Sequence, residues 1–393
     1  MRRTAQLRDL FVMQFEELYG RRERRELTQV EAAELLGMSE RQFRRLSQRY
    51  EAEGVEGLAD RRLGKVAANR IPVDEAMEIS RLYGTRHRGW RVKHFHEYLE
   101  HRYGIRRSYT SVKTILQNAG LVARAPRRGK HRRRRERRPL PGMMLFQDGS
   151  NHEWVPGRYW DLIATMDDAT SEVYSAFFVE QEGTASSFAG LAETIAAKGL
   201  FCQLYTDRGS HYWHTPKAGG KVDRSKPTQV GRALAQLGIT HLPSYEPQGR
   251  GRMERLFGTL QDRLPQELAF EGITDMAEAN RYLREIHLPR HNASFSIEPA
   301  EEGSAFIPFA PADKLADILC IQEERTVAAD NTISYKGRRL QIPPQPHRHH
   351  YVRARLRVHE YPDGRLAVFD GPRCLAHYAS DGSPDEVQQY QAA

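Results

Sequence analysis

The stretch "RAPRRGKHRRRRERR", Arg124 to Arg138, carries ten Lys and Arg in fifteen residues. A run of like charges with almost nothing apolar to bury cannot offset the entropy of ordering itself. It reads as a linker laid along phosphates, and it divides the chain into two parts that must fold separately. The parts differ in charge. Residues 1–138 hold 34 Lys and Arg against 18 Asp and Glu, a balance of +16; the remainder holds 26 against 33, or −7, which together give the chain's +9. A basic front part joined to a slightly acidic back part points to a polyanion held by the front.

At 393 residues the chain is long enough for two or three domains. No apolar stretch approaches the roughly 18 residues of a membrane span, and nothing near Met1 reads as a leader. Cys202, Cys320 and Cys374 are far apart, which fits a reducing compartment and excludes a Cys-rich zinc module. The expectation is a soluble, cytoplasmic protein that makes no membrane contact.

From Leu27, "LTQVEAAELLGMSERQFRRLSQRY" holds two capping patterns, Thr28-x-x-Glu31 and Ser39-x-x-Gln42. Gly37 lies between them where a helix must stop, and Ala33 is small where two helices would cross. Phe43, Leu46 and Tyr50 repeat at helical spacing and face inward, leaving Arg41, Arg44, Arg45 and Arg49 on the other faces. This is the helix-turn-helix plan, with its second helix offered to the DNA major groove. A weaker second helical unit runs through "DEAMEISRLYG", "WRVKHFHEYLEHRYG" and "SYTSVKTILQNAG", with Ser108 and Gly120 as its last helix boundaries. His94, His96 and His101 have no cysteine partner and read as surface residues. In the linker, DNA contacts are assigned to Arg127, Arg128, Lys130, Arg132, Arg133, Arg134 and Arg135.

Beyond the linker the elements read β-β-β-α-β-α-β-α. A strand over Met143 to Phe146 leads into Asp148; "LFCQLYTD" is a strand ending on Asp207; "GRMERLFGTLQDRL" is a helix with Glu254 beside a stripe of Met253, Leu256, Phe257, Leu260 and Leu264. Asp167-Asp168 reads as a turn between strands. Neighbouring strands can present two carboxylates together, and a helix across the sheet can add a third. Such a group would repel itself unless divalent cations lay between its members. Two hard ions, Mg²⁺ or Mn²⁺, suit oxygen ligands and phosphodiester chemistry. His152, His211 and His214 are candidates for supporting contacts.

"FQDGSNHEW", "YTDRGSHY" and "YEPQGRGRMERLFGTLQDRL" resemble the three signature blocks of the integrase-core (DDE) transposases, and more narrowly the bacterial insertion-sequence group labelled ISNCY. The resemblance covers roughly residues 139–291. It implies a ribonuclease-H-like α/β core in a nucleoid-associated bacterial protein. The catalytic and metal-binding acids it implies are Asp148, Asp207 and Glu254, the last set by Gly251-x-x-Glu254 rather than by Glu246. The 46 residues between Asp207 and Glu254 exceed the spacing of better-known members, and "HTPKAGGKVDRSKP" can hold the excess.

After the core, short strands with turns at Asn331 and Pro362-Asp363-Gly364 suggest a small β-barrel, and the tail "SPDEVQQYQAA" suggests disorder. The expected organisation is multidomain: a helix-turn-helix domain over 1–64, a second helix-turn-helix or winged-helix-like domain over 70–122, linker 123–139, catalytic core 140–292 and C-terminal barrel 325–380. The expected function is a transposase that binds terminal inverted repeats in double-stranded DNA, cuts 3′ ends and joins them to target DNA as a homo-oligomer. The alternatives are a DNA-binding regulator that has lost catalysis and a nuclease that cuts without joining.

Overall fold

The computed structural model describes residues 2–59, 71–124, 135–217, 220–245, 247–309 and 312–385. Arg127, Arg128, Lys130, Arg132, Arg133, Arg134, Glu246 and the tail from 386 lie outside the described residues. Two compact units emerge, Met1–Glu78 and Ile79–Ala393.

In the first unit, α2 (Gln29–Leu35) and α3 (Glu40–Glu53) form the expected helix-turn-helix, preceded by α1 (Arg2–Glu23), which the sequence reading passed over. Thr28 Oγ1 accepts from the Glu31 amide while Glu31 accepts from the Thr28 amide at 2.7 Å, a complete capping box. Gly37 takes φ +66°, where a side chain would be strained. Ser39 accepts from the Gln42 amide at the start of α3. Phe43 is fully buried against Phe15 of α1 at 5.3 Å between ring centroids, with Leu46 and Tyr50 packed alongside.

The division between units falls inside α4 (Val73–Arg86). In the second unit α5 (Val92–Tyr103) and α6 (Tyr109–Asn118) enclose Ile79, Phe95, Leu99, Val112 and Leu116. Ser108 caps α6 and Gly120 takes φ +70° after it.

The core follows the expected order. It comprises β1 (Leu145–Val155), β2 (Arg158–Asp167), β3 (Val173–Val179), α7 (Thr184–Lys198), β4 (Gln203–Thr206), α8 (Gln229–Gln236), β5 (Thr240–Pro243) and α9 (Pro247–Glu271), followed by α10 (Met276–Tyr282), α11 (Leu288–Phe295) and α12 (Ala312–Ile318). The sheet runs β3-β2-β1-β4-β5, antiparallel through the first three strands and parallel from β1 to β4 and β5. One face packs on α9 and α10 through Phe146, Trp154, Leu256, Leu260 and Tyr282. The other packs on α7, α8 and α12 through Leu145, Phe188, Leu204, Leu234 and Leu315. With helices on both faces of this mixed sheet, β1 lies at its centre and β4 beside it.

The C-terminal part corrects one expectation. Strands β6 (Ile321–Thr326), β7 (Thr332–Tyr335), β8 (Arg338–Gln341), β9 (Arg355–Glu360), β10 (Leu366–Asp370) and β11 (Arg373–Tyr378) form a four-stranded sheet, β11-β10-β9-β6, and a separate β7-β8 ribbon. They share one apolar core but do not close into a barrel. Closure needs every strand paired on both edges, whereas β7 and β8 pair only with each other. The expected turns are present, with Asn331 at φ 60° and Gly364 at φ 84°. Among the described residues no helix is long and apolar enough to cross a membrane.

Candidate active site

Side chains alternate across β1. Leu145 and Gln147 take the α7–α8 side: Leu145 lies in the cluster with Phe188 and Leu234, and Gln147 Nε2 donates to Thr165 Oγ1 at 3.1 Å and to Ser187 O at 3.2 Å. Phe146, Asp148 and Ser150 take the α9 side. Phe146 packs with Met253, Leu256 and Phe257, and Ser150 Oγ accepts from Gln261 Nε2 of α9 at 2.9 Å. On β4 the same alternation buries Leu204 toward α8, while Tyr205 meets Phe146 at 5.5 Å between ring centroids.

The strands pair in parallel, Leu145 opposite Leu204 and Phe146 opposite Tyr205. The paired register ends there; Asp148 lies two residues beyond Phe146 within β1, and Asp207 lies two residues beyond Tyr205, just past the end of β4. Asp148 is 8% exposed and Asp207 is half-buried. Asp148 lies inside β1, which runs on to Val155, rather than beyond a strand tip. Asp207 does stand just past β4, where its Oδ1 accepts from the Gly209 amide at 2.8 Å.

Helix α9 is fixed over this face at two levels. Gln261 holds Ser150, and Arg252 pairs with Asp168, whose amide donates at 3.0 Å to Met144 O just before β1. Glu254 on the helix and Asp148 on the strand both lie between these anchors. Glu254 is exposed, however, and among the described residues no group of three or more His, Cys, Asp or Glu is placed to hold a metal ion. The fold thus carries Asp148 within β1, Asp207 just past its parallel neighbour β4, and Glu254 exposed on the covering helix. Asp148 and Asp207 are hard oxygen donors of the kind that suits a divalent cation; exposed Glu254 does not join them in this conformation.

Sequence reasoning missed Glu182, which precedes α7. Its carboxylate packs so closely on Gly149 that a Cβ there would meet Oε2 at 2.4 Å, and its Oε1 lies 3.4 Å from His211 Nε2. Beside them, Tyr212 is 1% exposed and its hydroxyl donates to Gln147 Oε1 at 3.2 Å. Burial, reinforced by the carboxylates of Glu182, Asp148 and Asp207, pushes the Tyr212 phenol well above its ordinary value, so it stays protonated. Three acids therefore act electrostatically on one buried hydroxyl. Of the other histidines named from the sequence, His152 packs edge-on to Trp154 and His214 lies 3.8 Å from Asp223.

The Asp167-Asp168 turn is real, but both side chains are fully buried. Asp167 accepts from the amides of Gly142 and Thr170, each at 2.9 Å, while burial, its largest influence, pushes its carboxyl up. Asp168 binds Arg135 and Arg252 and accepts from the Arg138 amide at 2.8 Å. Contacts 33 and 84 residues apart leave no local signal. Arg135, assigned to phosphate, thus has a protein partner.

The other arginines divide. Arg41, Arg44 and Arg45 are exposed on α3, whereas Arg49 Nη2 donates to Ala59 O at 2.7 Å within its own unit. Of the histidines expected at the surface, His101 is exposed and His96 half-buried, but His94 is buried. His94 Nε2 lies 2.7 Å from Glu267 Oε1, and His287 Nδ1 lies 2.8 Å from Oε2 of the same glutamate. The charge that retains His94 inside lies 173 residues away and cannot be seen in its own segment.

The family described as "Helix-turn-helix domain" matches residues 22–65. The y4bF protein of Sinorhizobium fredii (strain NBRC 101917 / NGR234), assigned as a transposase, is 34% identical over 349 residues, 87% of this chain and 75% of its own. The transposase for insertion sequence IS1202 of Streptococcus pneumoniae is 28% identical over 63% of this chain and 61% of its own. Among solved structures, the simian T-cell lymphotropic virus intasome with PP2A regulatory subunit B56 gamma matches 74% of this chain and 91% of its own at 17% identity and a TM-score of 0.34. The HTLV-2 integrase catalytic core domain in complex with magnesium, in its dimeric form, matches 37% of this chain and 89% of its own at 15% identity and a TM-score of 0.28. On the extent and identity of the Sinorhizobium match, the chain belongs to the transposases.

Proposed function

We propose that this transposase recognises the ends of its element through α3, cuts their 3′ ends and joins them to target DNA at Asp148, Asp207 and Glu254. The observation that supports the reading is the parallel pairing of β1 with β4, Phe146 opposite Tyr205, with Asp148 and Asp207 each two residues further along the chain. Asp148 and Asp207 would hold Mg²⁺ or Mn²⁺ ions, and Glu254 would complete the set from the helix. Divalent cations at such a site activate an attacking oxygen and stabilise a leaving one.

The chain's own residues do the rest. Gly209 keeps the approach to Asp207 open, since a Cβ there would lie 3.0 Å from Asp207 Oδ1. Buried Gln147, bonded to Thr165, Ser187 and Tyr212, stiffens β1 immediately before Asp148. Arg41, Arg44 and Arg45 supply phosphate and base contacts from α3. Two element ends must be handled together, so the active form is a homo-oligomer on DNA, working in the cytoplasm where the chromosome lies.

The exposed position of Glu254 favours a second reading, a core that binds DNA without cutting it. An assay with Mg²⁺ and element-end DNA separates the two. Cleaved and joined products from the wild type, lost in Asp148→Asn with end binding kept, support the proposal. Joining by Asp148→Asn refutes the site, and an inert wild type supports the second reading.

A further inference from the structure

We propose that Asp168 is a positioning residue that sets the rotation and depth of the first turns of α9, and through them the placement of Glu254. The inference rests on the role given to Glu254 above. Asp168 is fully buried, whereas Arg252 and Arg135 are 13% and 35% exposed at their side chains. One carboxylate gathers both guanidinium groups and the Arg138 amide, and Arg252 Nη2 goes on to donate to Arg135 O at 2.6 Å. Arg137 Nη1 closes the same turn by donating to Asp168 O at 2.8 Å and to Ala169 O at 3.1 Å.

Such an arrangement is a poor way to gain stability. A buried ion pair does no better, and often worse, than apolar residues of the same shape. Its value is geometric. A guanidinium held at two nitrogens fixes direction as well as distance. Arg252 and Glu254 are two residues apart, roughly 200° around α9 and about 3 Å along it. Holding Arg252 inward therefore fixes where Glu254 projects. The Arg135 guanidinium also lies over the Phe146 ring, 5.8 Å from its centroid and on the Asp148 face of β1. The end of the basic segment, the covering helix and the strand of the first acid thus meet at one buried carboxylate.

The test uses the full chain and compares Asp168→Asn, Arg252→Lys and Glu254→Gln. Two quantities are read: amide hydrogen exchange, and cleavage of element-end DNA resolved into kcat and KM. A positioning role predicts that Asp168→Asn speeds exchange at residues 251–258 and 135–138 and not in β2 or β3. It also predicts a kcat lower by about 10–100-fold with KM for DNA little changed. Arg252→Lys, which keeps charge and loses the second contact, should fall between it and wild type. If Asp168→Asn does not fold, Arg252→Gln takes its place with the same expected readings. Unchanged exchange at 251–258, faster exchange spread over the whole sheet, or an unchanged kcat in a variant exchanging faster there overturns the proposal. Should Glu254→Gln cleave normally, the role of Glu254 fails independently, and exchange alone then decides whether Asp168 positions α9.

Discussion

Gln261 Nε2 on α9 donates to Ser150 Oγ on β1 across 2.9 Å, on the face of the strand that carries Asp148 two residues earlier. The bond ties the helix of the third acid to the strand of the first. Gln261→Ala should cost about 1 kcal/mol of stability, the usual net worth of one hydrogen bond. Its effect on DNA cleavage should be larger than that, read as a fall in kcal-equivalent rate beyond the change in unfolding free energy. Equal losses in both measurements would show that the bond only stabilises.

Gly190 of α7 lies against Gln147, where a Cβ would come within 2.6 Å of Nε2 and 3.2 Å of Thr165 Oγ1. Gln147 is fully buried and held by three hydrogen bonds, so it cannot move aside. Gly190→Ala should destabilise the core by about 1–3 kcal/mol, measured by denaturant unfolding. An unchanged midpoint would mean that Gln147 is less constrained than its bonds indicate.

Two kinds of buried group predict acid sensitivity. Burial lowers His291 and His359 from 6.5 to about 3 and His87 to about 4. The unfolded chain therefore binds more protons than the folded one as pH falls below 6.5. Stability is complete above that value and declines on acidification toward pH 4. Glu267 experiences burial, which alone would raise it, but its bonds to His287 and His94 hold it far below the ordinary carboxylate range. Its contribution is present above pH 4.5 and is lost below. His359 isolates one part of this effect: it is 4% exposed, stacks on Phe369 at 4.0 Å and has no partner for either ring nitrogen among the described residues. His359→Leu should raise Tm, and by more at pH 5 than at pH 7.5. An equal gain at both pH values would count against a buried neutral imidazole.

The α3 arginines should separate by role. Arg44→Ala and Arg45→Ala should weaken end binding and each reduce the slope of log K against log salt by about one. Arg49→Ala should instead lower Tm by loosening the contact with Ala59 O. A salt-slope change from Arg49→Ala without loss of Tm would reverse that assignment.

Much of this was legible because it is local. Thr28, Gly37 and Phe43 each carry a backbone or periodicity signal within one turn, and the helix-turn-helix follows. The order of core strands and helices was readable for the same reason, and it put Asp148 just after one strand and Asp207 at the end of another; β1 instead runs through Asp148 and β4 stops at Thr206. What escaped were partners far apart along the chain. Glu182 against Gly149, His94 inside against Glu267, and Asp168 against Arg135 and Arg252 are contacts that only the folded sheet creates. Barrel closure failed as an expectation because alternation within short strands says nothing about which edges pair.

The most direct measurement is an anomalous diffraction map of the full chain bound to element-end DNA and Mn²⁺. The account predicts manganese density between the Asp148 and Asp207 carboxylates, with Glu254 turned in to share it. Manganese absent from that pair, or bound elsewhere with Asp148 and Asp207 directed apart, would contradict it.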